Sequence, residues 1–256
     1  MNISVVIIAK NEETNIERAL KSVEWADEIV VVDAESTDRT REIAASFGAK
    51  VHVRAWKGFS AQKQFATEIA THDWVLSLDA DEEVTPELRA EIQTLFHAAP
   101  DSDGYLMPRL SIYMGRRIRH CGWYPDRQLR LFDRRKGRWN SRLIHESVEM
   151  VDGAKIGKLR SDLLHFSVLD ASHHHRMIGE RYAPLAARQM FAEGKRTSFW
   201  PVLMAGPLAF VRTFFFKLGF LDGLPGYTIS RFAAHHAFLK HLLLLELQQA
   251  EESRKK

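Results

Sequence analysis

Two aspartates separated by one small residue, Asp79-Ala80-Asp81, carry the strongest chemical suggestion in the chain. They follow the apolar run Trp74-Val75-Leu76 and precede Thr85-Pro86-Glu87, a helix start with a capping residue and a proline in the first turn. The pattern predicts a buried strand that delivers both acids at its carboxyl end, where open α/β sheets place their ligands. Alternation in an extended chain points both carboxylates the same way. Held side by side they repel each other unless a cation lies between them, and a hard divalent ion carrying a diphosphate relieves that repulsion. An acidic strand-to-helix turn that caps the next helix has the same spacing, so the pair gains meaning only from the elements around it.

Those elements repeat. Ser4-Val5-Val6-Ile7-Ile8-Ala9 is a β-branched run of the kind that forms a central strand covered on both faces. Polar Lys10-Asn11-Glu12-Glu13 breaks it, and a helix with an apolar stripe of Ile16, Ala19, Leu20 and Val23 follows. Glu28 to Asp33 is a second buried strand ending in an acid, Asp38 is placed to cap the next helix, and Gly48 stops that helix. A short strand over 50–54 and a helix over about 60–70 lead to the strand that ends in Asp79. Four strand-helix units in the first ~100 residues predict an α/β domain with a mainly parallel sheet and helices on both faces. Neither a Gly-x-Gly-x-x-Gly after the first strand nor a phosphate-loop Lys-Ser/Thr pattern is present, which argues against a dinucleotide-binding domain or a nucleoside-triphosphatase.

From Gly104 to Phe166 short extended pieces alternate with Gly, Pro and basic residues, predicting further strands and active-site loops. Ala171 to Glu193 reads as a helix bent at Pro184. The apolar run from Phe199 to Leu221 is interrupted by Pro201, Pro207, Arg212 and Lys217. Only about 15 residues between Arg196 and Arg212 lack a charge, short of the ~20 that span a bilayer. An interfacial segment with its basic side chains at headgroup level is expected, the alternative being a buried pair of core helices. Asp222 to Gly226 reads as a turn, and a last helix is expected from about Ser230 to Gln249.

The chain has 256 residues, 45% hydrophobic and 27% charged, ordinary for a folded protein and unlike a disordered one. Its single cysteine, Cys121, excludes an internal disulfide and fits a reducing compartment. Met1-Asn2-Ile3 runs into the first strand without a basic leader, so a cytosolic placement, or one on the cytosolic face of a membrane, is expected. Net charge is only +3, yet the stretch from Arg109 to Arg142 holds eleven Lys/Arg against Asp126 and Asp133. Such a stretch attracts a polyanion, whether nucleic acid, a sugar phosphate or a lipid headgroup.

Val6-Ile7-Ile8-Ala9-Lys10-Asn11-Glu12, then Val31-Val32-Asp33-Ala34-Glu35-Ser36-Thr37-Asp38, then Asp79-Ala80-Asp81, resemble in order the inverting, metal-dependent family 2 glycosyltransferases. The resemblance implies the GT-A fold, a Rossmann-like nucleotide-sugar domain, here over residues 1–170, followed by a helical, membrane-proximal extension over 171–256. It implies that Ala9, Asn11 and Glu12 hold the nucleoside, that Asp33 bonds uracil, and that Lys63 approaches the base. Asp79 would face the ribose and Asp81 a Mg2+ or Mn2+ ion, with His165 as a further metal or diphosphate ligand. Asp126-Arg127-Gln128-Leu129-Arg130-Leu131-Phe132 and Ile144-His145-Glu146 are similar to bacterial enzymes that add glucose or a related sugar to the lipopolysaccharide inner core. That likeness makes Glu146 the candidate catalytic base, with Glu149 in reserve.

Inverting displacement at an anomeric carbon needs a carboxylate to take the acceptor proton and a cation to stabilise the departing diphosphate. Arg127 and Arg130 are candidates to steady the diphosphate or an acceptor phosphate, a solvated strand edge being the plainer reading. Trp123, Tyr124 and Trp139 suit sugar stacking or core packing. The run His173-His174-His175 fans out at a helix start, cannot share one ion, and is expected to be solvated. The implied partners are a UDP-sugar, a lipid-linked saccharide and a membrane surface, and no nucleic acid. Transfer to polyprenyl phosphate or another surface glycan, and a non-catalytic nucleotide-sugar-binding protein, stand as alternatives. The acids at Asp33, Asp79, Asp81 and Glu146 weigh against loss of catalysis, and acids at strand ends repel a nucleic-acid backbone.

Overall fold

Strand β1 (Ile3–Ala9) is buried at every position, as its apolar run Val5–Ala9 requires of a strand covered on both faces. It pairs in parallel with β2 (Glu28–Asp33) and with β4 (Trp74–Asp79), and β3 (Lys50–Val53) continues the parallel half beyond β2. Helices α1 (Ile16–Val23), α2 (Thr40–Ser46) and α3 (Phe59–Ile69) make the crossovers. Alternation sorts the side chains. Val5, Ile7, Leu76 and Leu78 join Ile16, Leu20 and Ala44 in one cluster, while Val6, Ile8, Val30 and Val75 pack with Ala66 in another. The sheet is therefore clad by α1 and α2 on one face and α3 on the other. Burying each large aliphatic side chain contributes about 1.5–3 kcal/mol.

This is a computed structural model, and it describes residues 2–140, 146–168 and 170–254. After β4 the chain turns at Ala80-Asp81 into β5 (Glu82–Val84), and Thr85 caps α4 (Pro86–His97) by accepting from the Leu88 amide at 3.1 Å. Beyond β4 the sheet becomes antiparallel through β6 (Gly104–Tyr113) and β8 (Asp126–Asp133), giving the order β3-β2-β1-β4-β8-β6-β12-β5 with β12 (Leu163–His165) near the edge. The two-residue β7 (Arg116–Arg117) pairs with the end of β6, and β9 (Gly137–Trp139) and β10 (Val148–Met150) form a separate ribbon. Strand β11 (Ile156–Lys158) adds to β6 in parallel. The expected mixed, mainly parallel α/β sheet with helices on both faces is what forms.

The chain divides into two compact units, Met1–Leu110 with Asp126–His165, and Ser111–Pro125 with Phe166–Lys256. The second is mostly helical: α5 (Ala171–Arg176), a π-helical turn over Met177–Tyr182, α6 (Ala183–Ala192), α7 (Phe199–Val211) and α8 (Gly223–Arg254). Two sequence expectations change here. The supposed turn at Asp222–Gly226 is a short 3-10 turn, Gly219–Asp222, leading directly into α8. Pro225 does not block a helix there because the first-turn amides have no intrahelical partner to lose. His174, expected in solvent, is buried, its ring 4.2 Å from that of Phe232 and its Nδ1 3.1 Å from the Tyr113 hydroxyl. Burial, with His173 nearby, lowers its pKa to about 4, so it is neutral at pH 7.

Candidate active site

The carboxyl ends of β1 and β2 are tied together by short side-chain bonds. The Asn11 amide donates to Ser36 Oγ at 2.9 Å, Asn11 Oδ1 accepts from the Thr37 amide at 2.8 Å, and the Glu12 amide donates to Thr40 Oγ1 at 2.8 Å. Asn11 has a positive φ of 54°, a conformation that asparagine tolerates better than most residues. Its side chain thus spans two loops and shapes the rim. Ala9 accepts from the Ala34 amide at 2.8 Å. Asp33, fully buried, accepts from the Ser36 amide through Oδ1 at 2.9 Å, and Arg41 Nε lies 3.7 Å from the same oxygen. Its other oxygen, Oδ2, is buried with no hydrogen-bond partner among the described residues. A buried carboxylate oxygen left bare costs free energy, and a ligand N–H aimed at this oxygen would remove that cost.

Asp79 ends β4 inside a network of buried charge. Lys63, on the buried side of α3, places Nζ 2.8 Å from Asp79 Oδ1, and Arg130 Nη2 lies 2.6 Å from Asp79 Oδ2 and 2.8 Å from Glu82 Oε1. Arg109 in turn reaches Glu82 at 3.2 Å and Asp126 at 2.6 Å. Burial would raise the Asp79 pKa, but the Arg130 and Lys63 charges overcome it and hold the carboxyl well below its usual range. The same partners, Asp79 and Glu82, raise Arg130 against the effect of its own burial. Arg130 is the extra residue of a β-bulge, since Leu129 faces Leu106 and Leu131 faces Tyr105. A bulge re-aims one side chain, and here the guanidinium turns onto the acids. Lys63 and Arg130 also lie over the Trp139 ring, at 4.9 and 5.9 Å from its centre.

Asp81 sits in the turn after β4, so the extended alternation that would align it with Asp79 does not apply. Its Oδ2 lies 3.4 Å from His165 Nε2 across the β5–β12 pairing. Asp81 and His165 are thus close enough to share one hard cation. No group of three or more His, Cys, Asp or Glu side chains converges to hold a metal among the described residues. Glu12 has its pKa raised by burial, with Asp81, Asp38 and Asp79 adding to the effect and Asn15 opposing it. Acids thus crowd the carboxyl edge, a field that suits a cation.

Glu146 Oε1 lies 3.6 Å from Lys63 Nζ, so one ammonium group bridges Glu146 and Asp79. Lys63, expected near the nucleobase, is spent on these two carboxylates. Ile144 and His145 of the same motif lie outside the described residues. Glu149 is exposed on β10 opposite Arg138. Arg127 is exposed and donates to the Leu159 carbonyl at 3.5 Å, whereas Arg130 is buried, so the structure does not bring this pair together. Trp139 is covered by the two cations, which favours packing over sugar stacking. Trp123 and Tyr124 belong to the second unit, where Trp123 packs on Tyr113. Sequence reasoning missed Glu82, fully buried and the hub between Arg109 and Arg130. The signal was a third acid directly after Asp81.

The family model described as glycosyl transferase family 2 matches residues 4–153. An uncharacterized glycosyltransferase of Rickettsia bellii is 35% identical over 96% of this chain and 86% of its own. A lipopolysaccharide core biosynthesis glycosyltransferase, LpsC, of Rhizobium meliloti is 31% identical over 93% of this chain and 89% of its own. Among solved structures, glucosyl-3-phosphoglycerate synthase of Mycobacterium tuberculosis, in complex with Mn2+, UDP and glucosyl-3-phosphoglycerate, is 24% identical with a TM-score of 0.37, covering 43% of this chain and 44% of that one. The chain belongs to glycosyl transferase family 2 and is a glycosyltransferase.

Proposed function

We propose that the protein transfers a hexose, with glucose the first to test, from a UDP-sugar to the inner core of lipopolysaccharide or a similar lipid-linked glycan. Transfer proceeds with inversion, at the cytosolic face of the inner membrane. The observation that carries the donor site is Asp33, whose buried Oδ2 lacks a partner among the described residues at the sheet edge where Asp81 and His165 approach each other. That oxygen suits the imide N–H of uracil. The likeness to the Rhizobium meliloti core-biosynthesis enzyme supports the acceptor.

In this reading Asp33 orients the base, while the side-chain bonds of Asn11 and Glu12's amide keep the rim at Ala9 rigid around the nucleoside. Asp81 and His165 would hold Mg2+ or Mn2+, which would supply positive charge against the departing diphosphate. Glu146 takes the acceptor hydroxyl proton as the new bond to the anomeric carbon forms on one face and the bond to the diphosphate oxygen breaks on the other. Lys63 fixes Glu146 beside the Asp79 network. Asp81→Asn weakens Mn2+-dependent UDP binding, whereas Glu146→Gln retains it and loses transfer at least 100-fold, of the order expected for removing a general base. Full transfer by Glu146→Gln sinks the base assignment.

A further inference from the structure

The second unit carries an exposed apolar face that the transfer chemistry does not use. Along α7 and the π-helical turn Arg212–Phe216 that continues it, one stripe, Trp200, Met204, Leu208, Val211 and Phe215, is exposed, and Trp200 is 67% accessible. Phe216, 80% accessible, and Leu221 and Leu224 continue it around the turn into α8. The opposite side of α7 is packed. At Gly206 an added Cβ would lie 3.3 Å from the Ala234 carbonyl oxygen, so the absence of a side chain lets α7 and α8 approach closely.

The stretch Phe199–Phe216 is long and apolar enough to cross a bilayer by length and composition, with a mean hydropathy of 1.4. Its partner argues against crossing. The Thr197 amide donates to Gln248 at 2.6 Å at one end of the pair, and Phe210 meets Tyr227 at the other, their ring centres 5.8 Å apart. The segment of α8 alongside therefore includes Arg231, Lys240 and Glu246. A spanning α7 would take these charges with it into hydrocarbon, where each is expensive. An in-plane arrangement leaves them on the water side.

Charge sets the occupant. Between Thr197 and Gln248 the chain has Arg212, Lys217, Arg231 and Lys240 against Glu246, toward the other end of α8 from the rim, and Asp222 at the rim itself. Asp222 is buried and already used. It accepts the His120 amide at 2.9 Å and faces His120 Nδ1 at 2.9 Å. Asp222 thereby clamps the 116–122 loop onto the 217–223 turn, and the Cys121 amide adds a bond to the Lys217 carbonyl at 2.9 Å. The clamp gathers two cations beside the apolar rim. Arg116 Nη1 would stand 3.0 Å from a Cβ on Gly223, and Lys217 Nζ 2.4 Å from one on Gly122. Neither meets a carboxylate among the described residues, whereas Arg109, Arg130, Arg135 and Lys136 of the same basic stretch are all ion-paired.

We infer that this face docks the second unit onto an anionic lipid bilayer. The α7 stripe and the rim at Phe216, Leu221 and Leu224 enter one leaflet, and Arg116 and Lys217 meet the lipid phosphates. Apolar area beneath a ring of cations is the arrangement that binds in the plane of a charged interface. The inference gives the membrane-side placement proposed above a definite surface.

The test is flotation of the full chain, without nucleotide, with vesicles of phosphatidylcholine alone and with 30% phosphatidylglycerol, alongside quenching by brominated lipid. Strong binding to the anionic vesicles is expected, and Trp200→Phe removes most of the quenching. Arg116→Ala/Lys217→Ala, checked for an unchanged circular dichroism spectrum, binds about thirty-fold more weakly, from roughly fivefold per basic residue. No binding to anionic vesicles overturns the inference, as does equal binding by the double variant or quenching that survives Trp200→Phe. A stable dimer that ignores vesicles assigns the face to a second copy and overturns it too. Vesicle binding and sugar transfer are read separately, so failure of one leaves the other standing.

Discussion

Arg130→Met removes the cation at the centre of the buried network. In the native protein three cations, Lys63, Arg109 and Arg130, face four carboxylates, Asp79, Glu82, Asp126 and Glu146. Removing one partner of a buried ion pair typically costs about 3–5 kcal/mol, because the remaining charge stays out of water. Asp79 keeps Lys63 and Glu82 keeps Arg109, so the lower end applies, about 3 kcal/mol. At roughly 2–4 °C per kcal/mol for a chain of this size, the first unit's melting temperature falls by about 6–12 °C. The assay is thermal and urea unfolding by circular dichroism. Replacing both members, Arg130→Met with Glu82→Met, recovers part of the loss, since the fully buried Glu82 charge is gone while Asp79 keeps Lys63 and Arg109 keeps Asp126. The sign with pH follows from Asp79. Its folded carboxyl is held below the usual value, so the stability Arg130 confers is present above the unfolded pKa and is lost as pH falls through the folded one. A loss under ~1 kcal/mol, or strictly additive single and double variants, would refute the view that this network holds the acids in place.

Glu28, buried at the start of β2, has a carboxyl pKa of about 2 against an ordinary 4.5. Burial works to raise it, but hydrogen bonds from Lys50, Ser4 and Thr71 prevail. Glu28→Gln therefore costs about 3 kcal/mol at neutral pH. The difference from the native protein shrinks from below pH 4.5 and is gone near pH 2, as acid-unfolding curves will register; a pH-independent difference would contradict it. Gly226→Ala places a Cβ 1.8 Å from the Gly219 carbonyl oxygen. That overlap forces backbone movement at the start of α8, at a cost of at least ~2 kcal/mol, measurable by urea unfolding.

The sheet was legible because its central strands must be apolar throughout. Val5–Ala9 and Ile29–Val32 carry that demand openly, and Thr85-Pro86 announces a helix start by local chemistry alone. The start of α8 was not legible, since Gly223, Leu224, Pro225 and Gly226 compose a turn as readily as a first helical turn; what decides is the close approach to Gly219. The acids at strand ends stood out by residue type, but their partners did not. Arg130 meets Asp79 across 51 positions only because a bulge re-aims it, and Lys63 meets Glu146 through the tertiary packing of α3. His174 looked solvated within a polar run, yet Tyr113 and Phe232, distant in sequence, cover it.

The proposed donor site takes a uridine nucleotide and depends on a divalent cation. Titration calorimetry of UDP into the full chain, with and without Mn2+ and against GDP, dTDP and CMP, tests it most directly. Saturable binding selective for UDP is expected, needing Mn2+ and weakened by Asp33→Asn, because with Oδ1 held by the Ser36 amide the new NH2 replaces the one acceptor, Oδ2, left for the base. Binding of none of the four nucleotides, or binding of UDP that is indifferent both to Mn2+ and to Asp33→Asn, would contradict it.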